Sequence, residues 1–383
     1  MDHSLEREVH AWIADDPDPL TAAQLQQWLD SGNEAELRAS FNGFLQFGTA
    51  GLRGPIRPGP SGMNRAVVGR AASGIVAYMK ERNLTSVVIG RDARYGSEDF
   101  TFETAEIMSG AGMKVYVLPR PLPTPVLAFA TNELKCDVGI MVTASHNPPQ
   151  DNGYKVYLGG TVDGIYYRGS QIVSPTDEAI AAKIDAVSSL SSQPRAKVWE
   201  VLGEEIVEKY IERTASLASN PGTLRIVYTA MHGVGTETIQ RVFHKAGFQS
   251  PILVEAQAAP DPDFPTVAFP NPEEPGAIDL ALETAKAFDA HLVIANDPDA
   301  DRCAAAVNDP ATGWRMLRGD ELGAIFAESI ARKIDSGIFA NSIVSSSIVK
   351  KIAAHYNLEF KETLTGFKSV SYTHLRAHET PEH

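Results

Sequence analysis

Short β-branched segments alternate with longer amphipathic segments along most of the chain, and this alternation constrains the fold more than any other feature. The first predicted helix–strand pairs are 67–80 with 86–89, 100–109 with 114–118, and 124–131 with 138–143. Such an alternation predicts a mostly parallel sheet with helices on its faces. Residues 4–46 precede it and are predicted to be helical, because apolar residues recur there at helical intervals.

The helix–strand pattern also repeats. In the first copy a buried strand ends just before Ser145, and in the second copy the strand 291–295 ends just before Asp297. Both residues therefore follow the carboxyl end of a strand, where open α/β sheets bind ligands. A third copy begins near Gly319. Its predicted elements are a helix at 321–333, a strand at 342–345, a short helix and a strand at 358–364.

Composition excludes several classes of protein. The 383 residues are 43% hydrophobic, which is typical of a globular chain and not of a disordered, fibrous or coiled-coil one. A net charge of −14 disfavours nucleic acid and anionic membranes as partners. No apolar run approaches the roughly 20 residues of a membrane helix, and the N-terminus lacks the pattern of a signal peptide. Two cysteines make no disulfide framework, so we expect a cytoplasmic protein.

The segment Thr143-Ala-Ser-His-Asn-Pro-Pro149 follows the third predicted strand. A serine held at a strand end can act as a nucleophile or carry a phosphoryl group, although such a loop can also be a simple turn. It is not the Gly-x-Ser-x-Gly elbow of a hydrolase, because both flanking glycines are missing. His146 and Lys155 are candidates for proton transfer or for pairing with phosphate.

The segment Asn296-Asp-Pro-Asp-Ala-Asp-Arg302 places three carboxylates, Asp297, Asp299 and Asp301, at every second position. In an extended loop they project to one side and repel one another unless a cation joins them. Ligands that offer only oxygen favour Mg²⁺ or Ca²⁺ over zinc. The alternative is a solvated acidic turn.

Two further segments are weak by themselves. The glycines of Gly48-Thr-Ala-Gly-Leu-Arg-Gly54 allow the backbone to approach an anion, and Arg53 can bind phosphate through two hydrogen bonds. Thr365-Gly-Phe-Lys368 offers a cation at a strand end, although a lone lysine there is usually solvated.

Taken together, the four segments resemble the α-D-phosphohexomutase superfamily, which comprises phosphoglucomutases and phosphomannomutases. The resemblance extends over 4–368, and Phe47–Gly54 and Asp151–Tyr157 are most similar to its phosphoglucomutase/phosphopentomutase-like branch. It implies repeated mixed α/β domains with helix-covered sheets, three of them followed by a fourth around a central cleft. We predict domain 1 at 1–205, domain 2 at 206–317 and a partial domain 3 at 318–368.

The resemblance also implies roles for individual residues. Ser145 would carry the phosphoryl group, and one Mg²⁺ would be bound by Asp297, Asp299, Asp301 and an oxygen of the phosphoserine. Arg91 and Asp92 would border the site. The cationic active-site residues would be Arg53, His146, Lys155, Arg302 and Lys368. The base that activates Ser145 would be either Lys155 or His146.

The implied enzyme is an isomerase of carbohydrate metabolism that moves a phosphoryl group between the 1- and 6-positions of a hexose phosphate. A sugar 1,6-bisphosphate would be its intermediate and activator. Glucose 1-phosphate and glucose 6-phosphate are the first expectation. Mannose or pentose phosphates, or a metal-dependent phosphomonoesterase with the same serine, are the alternatives. The oligomeric state is not predicted.

Some expected parts do not occur in the sequence. A Gly-Glu-x-Ser-Gly-like loop should follow Lys368, and a fourth domain should carry an Arg-Pro-Ser-Gly-Thr-type phosphate loop. We therefore expect this chain to bind Mg²⁺ but to turn over sugar phosphate poorly. Residues 369–383 resemble the translation of a sequencing adapter, so we predict a non-native tail there. The segment 158–169 is longer than the resemblance implies, and we predict a surface hairpin.

Overall fold

The N-terminal segment folds into three helices. The computed structural model describes residues 3–218 and 220–364. Helices α1 (His3–Asp15), α2 (Pro19–Asp30) and α3 (Glu34–Ser40) enclose a small core whose buried members are Leu5, Val9, Leu25 and Leu37. Side-chain caps start the second and third helices, because Asp18 accepts from the N–H of Leu20 and Asn33 accepts from that of Glu36. The predicted helical region is confirmed as far as Ser40, whereas 41–46 form a turn and an irregular segment.

The first α/β unit contains a mixed seven-stranded sheet. Its elements are β1 (Leu52–Pro55), α4 (Arg65–Glu81), β2 (Ser86–Arg91), α5 (Ser97–Gly110), β3 (Lys114–Val117), α6 (Thr124–Glu133), β4 (Val138–Val142), β5 (Asp151–Val162), β6 (Ile165–Gln171), α7 (Thr176–Asp185) and β7 (Glu200–Val201). The strand order is β1-β5-β4-β2-β3-β7, and β6 pairs with β5.

This first sheet is less parallel than predicted. Strands β2, β3, β4 and β7 are parallel, whereas β1, β5 and β6 run antiparallel to their neighbours. The reason is that β5 follows β4 after only the loop 143–150, which is too short for the crossover that a parallel strand needs. The predicted hairpin at 158–169 is confirmed by β5 and β6. It is partly buried, because Val162 and Tyr167 belong to the core.

The second unit repeats the arrangement of the first. Its elements are α8 (Glu205–Ala215), β8 (Ile226–Thr229), α9 (Gly235–Lys245), β9 (Ile252–Leu253), a 3₁₀ helix (Glu255–Gln257), α10 (Asp279–Ala287), β10 (Leu292–Asn296), β11 (Cys303–Asp309) and β12 (Gly313–Met316). The order β11-β10-β8-β9 matches β5-β4-β2-β3 of the first sheet, with the same parallel and antiparallel pairs. The predicted repeat is therefore confirmed, and β10 corresponds to β4.

The third unit comprises α11 (Gly319–Ala331), β13 (Ile338–Ser342), α12 (Ile348–His355) and β14 (Glu359–Thr363), and its two strands pair in parallel. The strand predicted at 342–345 is wrong, since the strand ends at Ser342. The β-branched pair Ile343 and Val344 favoured a strand, but both side chains are exposed in the turn that follows. Lys368 and the predicted tail at 369–383 lie outside the described residues.

Buried apolar residues on both faces of the first sheet anchor the strands that lead to the candidate site. Val87 and Ile89 pack into the core on one face of β2, and Val88 packs into the core on the other. Among the described residues, no helix has both the length and the apolar character needed to cross a membrane.

Candidate active site

The loop between β4 and β5 presents Ser145 in an unusual backbone conformation. Its φ of 56° lies in the left-handed region, which costs a non-glycine residue about 1–2 kcal/mol. The N–H of Ser145 donates to Oγ1 of Thr143 at 2.9 Å, and the residue is 1% exposed. The start of the loop is thus a buried turn, and the surrounding structure must offset its strain.

The hydroxyl of Ser145 meets the carboxylate loop of the second unit. Ser145 Oγ donates to Asp297 Oδ2 at 2.8 Å, and it lies 3.2 Å from Nδ1 of His146. Because β4 and β10 occupy equivalent positions in their sheets, this contact joins the carboxyl ends of two equivalent strands. The structure therefore brings the serine loop into contact with the carboxylate loop, and these two segments occupy equivalent positions in the repeat.

The three aspartates converge as the sequence predicts. Ligand oxygens of Asp297, Asp299 and Asp301 all lie within 4.8 Å of one another. Asp297 and Asp299 are buried, while Asp301 is more exposed. A turn with Ala300 at a φ of 54° brings the alternate carboxylates together, and the N–H of Arg302 donates to Asp297 Oδ1 at 3.0 Å.

Lys155 supplies the only ammonium bonded to this group among the described residues. Its Nζ donates to Asp299 Oδ2 and to Asp301 Oδ2, both at 2.6 Å, and its side chain is 2% exposed. Burial by itself lowers the pKa of Lys155, but the two carboxylates raise it overall, so Lys155 stays an ammonium at neutral pH. Burial raises the pKa of Asp299, yet Lys155 lowers it overall.

The charge of this cluster fits a divalent cation. Three carboxylates and one ammonium leave a formal charge of −2. Asp299 Oδ1 is buried and has no hydrogen-bond partner among the described residues, so a ligand oxygen is free. Burial and the charges of Asp299 and Asp301 raise the pKa of Asp297, which indicates that the carboxylates need further positive charge. An all-oxygen donor set of this kind suits Mg²⁺ or Ca²⁺.

His146 is a neutral imidazole in this setting. Burial, together with the charges of Arg302 and Arg53, lowers its pKa to about 4. Its ring packs edge-on against Phe269, with 5.5 Å between centroids. At neutral pH the ring can accept one hydrogen bond and donate another.

The predicted arginines differ in their surroundings. Arg53 lies on β1 opposite Gly153, and its buried Nε has no hydrogen-bond partner among the described residues. Arg302 is 39% exposed, and its Nε lies 3.9 Å from Asp297 Oδ2. Arg91 instead donates to Glu98 at 2.8 Å. Asp92 is buried behind the serine loop, where its carboxylate accepts hydrogen bonds from the following turn and helix α5.

The glycine-rich loop is shaped by its contact with β5. Gly51 has a φ of 76°, and a Cβ there would lie 1.7 Å from the carbonyl oxygen of Tyr154. The loop therefore lies directly against the backbone that precedes Lys155. This close approach explains why position 51 is a glycine. It also fixes where β1, the strand that carries Arg53, begins.

Two residues that hold the site together were not singled out by sequence reasoning. Thr124, at the start of α6, donates its N–H to the carbonyl oxygen of Asp299 at 2.8 Å, and its hydroxyl donates to Asp299 Oδ2. Arg94 donates to backbone carbonyls of the serine loop. Arg94 stands in the segment Gly90-Arg-Asp-Ala-Arg94, whose charges were the available signal, whereas Thr124 has no signal beyond its neighbouring prolines.

Comparison with protein families matches three consecutive segments of the chain. Residues 45–190 match "Phosphoglucomutase/phosphomannomutase, alpha/beta/alpha domain I". Residues 208–313 match domain II of the same family, and residues 318–379 match domain III. These segments contain the serine loop, the carboxylate loop and the third unit in that order.

Individual relatives point to the same family. A "Probable phosphomannomutase" from Haemophilus influenzae is 50% identical over 81% of this chain and 64% of its own length. A "Phosphoribomutase" from Saccharomyces cerevisiae is 37% identical over 95% of this chain and 64% of its own length. The crystal structure of a putative phosphomannomutase from Thermus thermophilus is 26% identical, with a TM-score of 0.68 over 85% of this chain and 70% of that one. The chain thus spans slightly under two thirds of these curated relatives.

Proposed function

Because the chain belongs to the phosphoglucomutase/phosphomannomutase family, we propose that it moves a phosphoryl group between the 1- and 6-positions of a hexose phosphate, with Ser145 as the carrier. The observation that supports this most strongly is the 2.8 Å contact between Ser145 Oγ and Asp297 Oδ2. It places a buried hydroxyl against a carboxylate group that has the composition of a divalent-metal site. In an ordinary solvated turn, neither the hydroxyl nor the carboxylates would need to be buried.

The proposed reaction has two transfers. In the first, the bond between phosphorus and Ser145 Oγ breaks, a bond forms from phosphorus to the free hydroxyl oxygen of the sugar phosphate, and the proton of that hydroxyl passes to Ser145 Oγ. In the second, the bond between the other phosphorus and its sugar oxygen breaks in the sugar 1,6-bisphosphate, a bond forms from that phosphorus to Ser145 Oγ, and the serine proton passes to the sugar oxygen that leaves. Such transfers ask the protein mainly for positioning and for stabilisation of charge.

We propose roles for individual residues in these tasks. Asp297, Asp299, Asp301 and an oxygen of the phosphoserine are the proposed ligands of Mg²⁺, which when bound offsets negative charge on the transferring group. We propose Arg53, Arg91 and Arg302 as contacts for phosphate oxygens, together with Lys368.

Of the two candidate bases, His146 is favoured. Its neutral ring lies 3.2 Å from Ser145 Oγ, while Lys155 is held as an ammonium by two carboxylates. Lys155 is instead proposed to hold Asp299 and Asp301 in place.

Glucose phosphates are the proposed first substrates. Pentose phosphates are a second candidate, because the relatives named "Phosphoribomutase" and "Phosphopentomutase" align with 95% and 96% of this chain.

The proposed domains remain 1–205, 206–317 and 318–368. The cytoplasm is the proposed compartment, and the cysteines Cys136 and Cys303 are both free thiols.

The test is a comparison of products. The chain is incubated with Mg²⁺, a trace of glucose 1,6-bisphosphate and the 1-phosphate of glucose, mannose or ribose. A mutase forms the isomeric sugar phosphate, which we expect this chain to produce slowly, and almost no inorganic phosphate; Ser145→Ala abolishes that product. Inorganic phosphate as the main product would contradict the proposal and favour a phosphomonoesterase.

A further inference from the structure

One buried arginine holds the backbone of the serine loop. The side chain of Arg94 is 1% exposed. Its guanidinium donates to three carbonyl oxygens of the serine loop, those of Ser145 and Asn147 at 2.7 Å and Pro148 at 2.8 Å, and to that of Asp151 at the start of β5 at 3.1 Å. A planar group with donors fixed in a fork can satisfy several acceptors at once, which a lysine ammonium on a flexible stem does less well.

These bonds act directly on the conformation of Ser145. The carbonyl of Ser145 points at Arg94, so the peptide plane after Ser145 cannot rotate without losing that bond. The residue also has a left-handed backbone, which the surrounding structure must hold. Because the backbone on both sides of Cα is held, so is the direction of the Cα–Cβ bond, and from that position the hydroxyl donates to Asp297.

Arg94 is itself held from two sides. Asp92 Oδ1 accepts from the N–H of Arg94 at 3.1 Å and from the hydroxyl of Ser97 at 2.7 Å, and Asp92 Oδ2 lies 3.4 Å from Arg94 Nε. On its other side the guanidinium lies 4.8 Å from the ring centroid of Phe264, which belongs to the second unit. Arg94 therefore lies between the serine loop and the unit that carries the aspartates.

We infer that Arg94 is the positioning residue of the phosphoryl carrier, and this inference rests on the proposed function. Arg94 has no described contact with the hydroxyl of Ser145. It acts through the backbone, by holding the loop in the one conformation that directs Ser145 Oγ toward Asp297.

The first test measures the loop without requiring catalysis. Amide hydrogen exchange of peptides covering 143–152 is compared in wild type, Arg94→Met and Arg82→Met. Arg82 is a matched control, because it also lies over an aromatic ring, Tyr78, and pairs with a carboxylate, Asp163, away from the site. We expect exchange in the loop to rise at least about tenfold in Arg94→Met alone, with strands β8 and β10 unchanged. Unchanged exchange in the loop would overturn the inference.

The second test separates positioning from stability. Single-turnover transfer from glucose 1,6-bisphosphate to Ser145 is measured over a range of bisphosphate concentrations. In Arg94→Met we expect the maximal rate to fall about 100-fold while the half-saturating concentration stays the same. Arg94→Lys keeps the charge but cannot span the four carbonyls, and we expect it to recover less than a tenth of the wild-type rate. Full recovery by lysine, or an unchanged maximal rate in Arg94→Met, would refute the positioning role. If wild type transfers nothing, the proposed function fails, and the exchange comparison alone decides whether Arg94 holds the loop.

Discussion

Removal of the Lys155 ammonium should destabilise the chain strongly when no divalent cation is present. Lys155 Nζ is 2.6 Å from Asp299 Oδ2 and from Asp301 Oδ2, and its side chain is 2% exposed. Loss of one partner from a buried ion pair costs about 3–5 kcal/mol, because the other charge stays buried without compensation. In Lys155→Met the charge of the cluster changes from −2 to −3. We therefore expect the free energy of unfolding in EDTA to fall by about 3–5 kcal/mol.

The assay is urea unfolding followed by far-UV circular dichroism, in EDTA and again with saturating Mg²⁺. Since the more negative cluster binds a cation more tightly, Mg²⁺ should stabilise Lys155→Met more than wild type. Ligand at 100 times its Kd contributes about 2.7 kcal/mol. Lys209→Met is the matched control, because it breaks an exposed 2.8 Å pair with Glu133 and should cost less than about 1 kcal/mol. A loss in Lys155→Met as small as that of the control would refute the reasoning.

Two other predictions concern the glycine loop and the thiols. Gly51→Ala should lower the free energy of unfolding by about 2–4 kcal/mol, because the new Cβ meets a backbone oxygen and φ is 76°. Gly112→Ala, with a φ of 86° and no atom within 4 Å of the new Cβ, should cost only about 1 kcal/mol; equal losses in urea unfolding would contradict this. Burial raises the pKa of both thiols, that of Cys136 to about 12, but Cys303 is exposed while Cys136 is buried, so at pH 8 a disulfide reagent should modify Cys303 and reach Cys136 only after unfolding. Rapid labelling of Cys136 in the folded chain would show that the core around it opens, and would contradict this prediction.

The parts of the site that follow strands could be predicted from the sequence. Ser145 stands three residues after the strand β4 and Asp297 comes directly after the strand β10, and the repeat of helices and strands made those strands equivalent. The spacing of the aspartates predicted a shared cation because like charges at alternate positions need one, and their convergence within 4.8 Å agrees. These signals are local, so one sequence suffices to read them.

Contacts between distant segments could not be predicted in this way. Arg94 reaches a loop more than 50 residues away, and Thr124 reaches Asp299 across 175 residues of sequence. Their partners are backbone carbonyls and one carboxylate, and no spacing of residues in the sequence indicates such a pairing. The strand predicted at 342–345 failed for a related reason, since the pairing of β13 with β14, and not the local β-branched residues, sets where that strand ends.

The central claim is that Ser145 carries the phosphoryl group beside the carboxylate cluster. The most direct measurement is peptide mapping by mass spectrometry after the chain is incubated with glucose 1,6-bisphosphate and Mg²⁺, with Ser145→Ala treated in parallel. We predict one phosphorylated peptide, with the phosphate on Ser145, and no phosphorylation of the variant. Phosphate on another residue, equal labelling of Ser145→Ala, or a wild-type chain that binds Mg²⁺ yet stays unmodified would contradict the account.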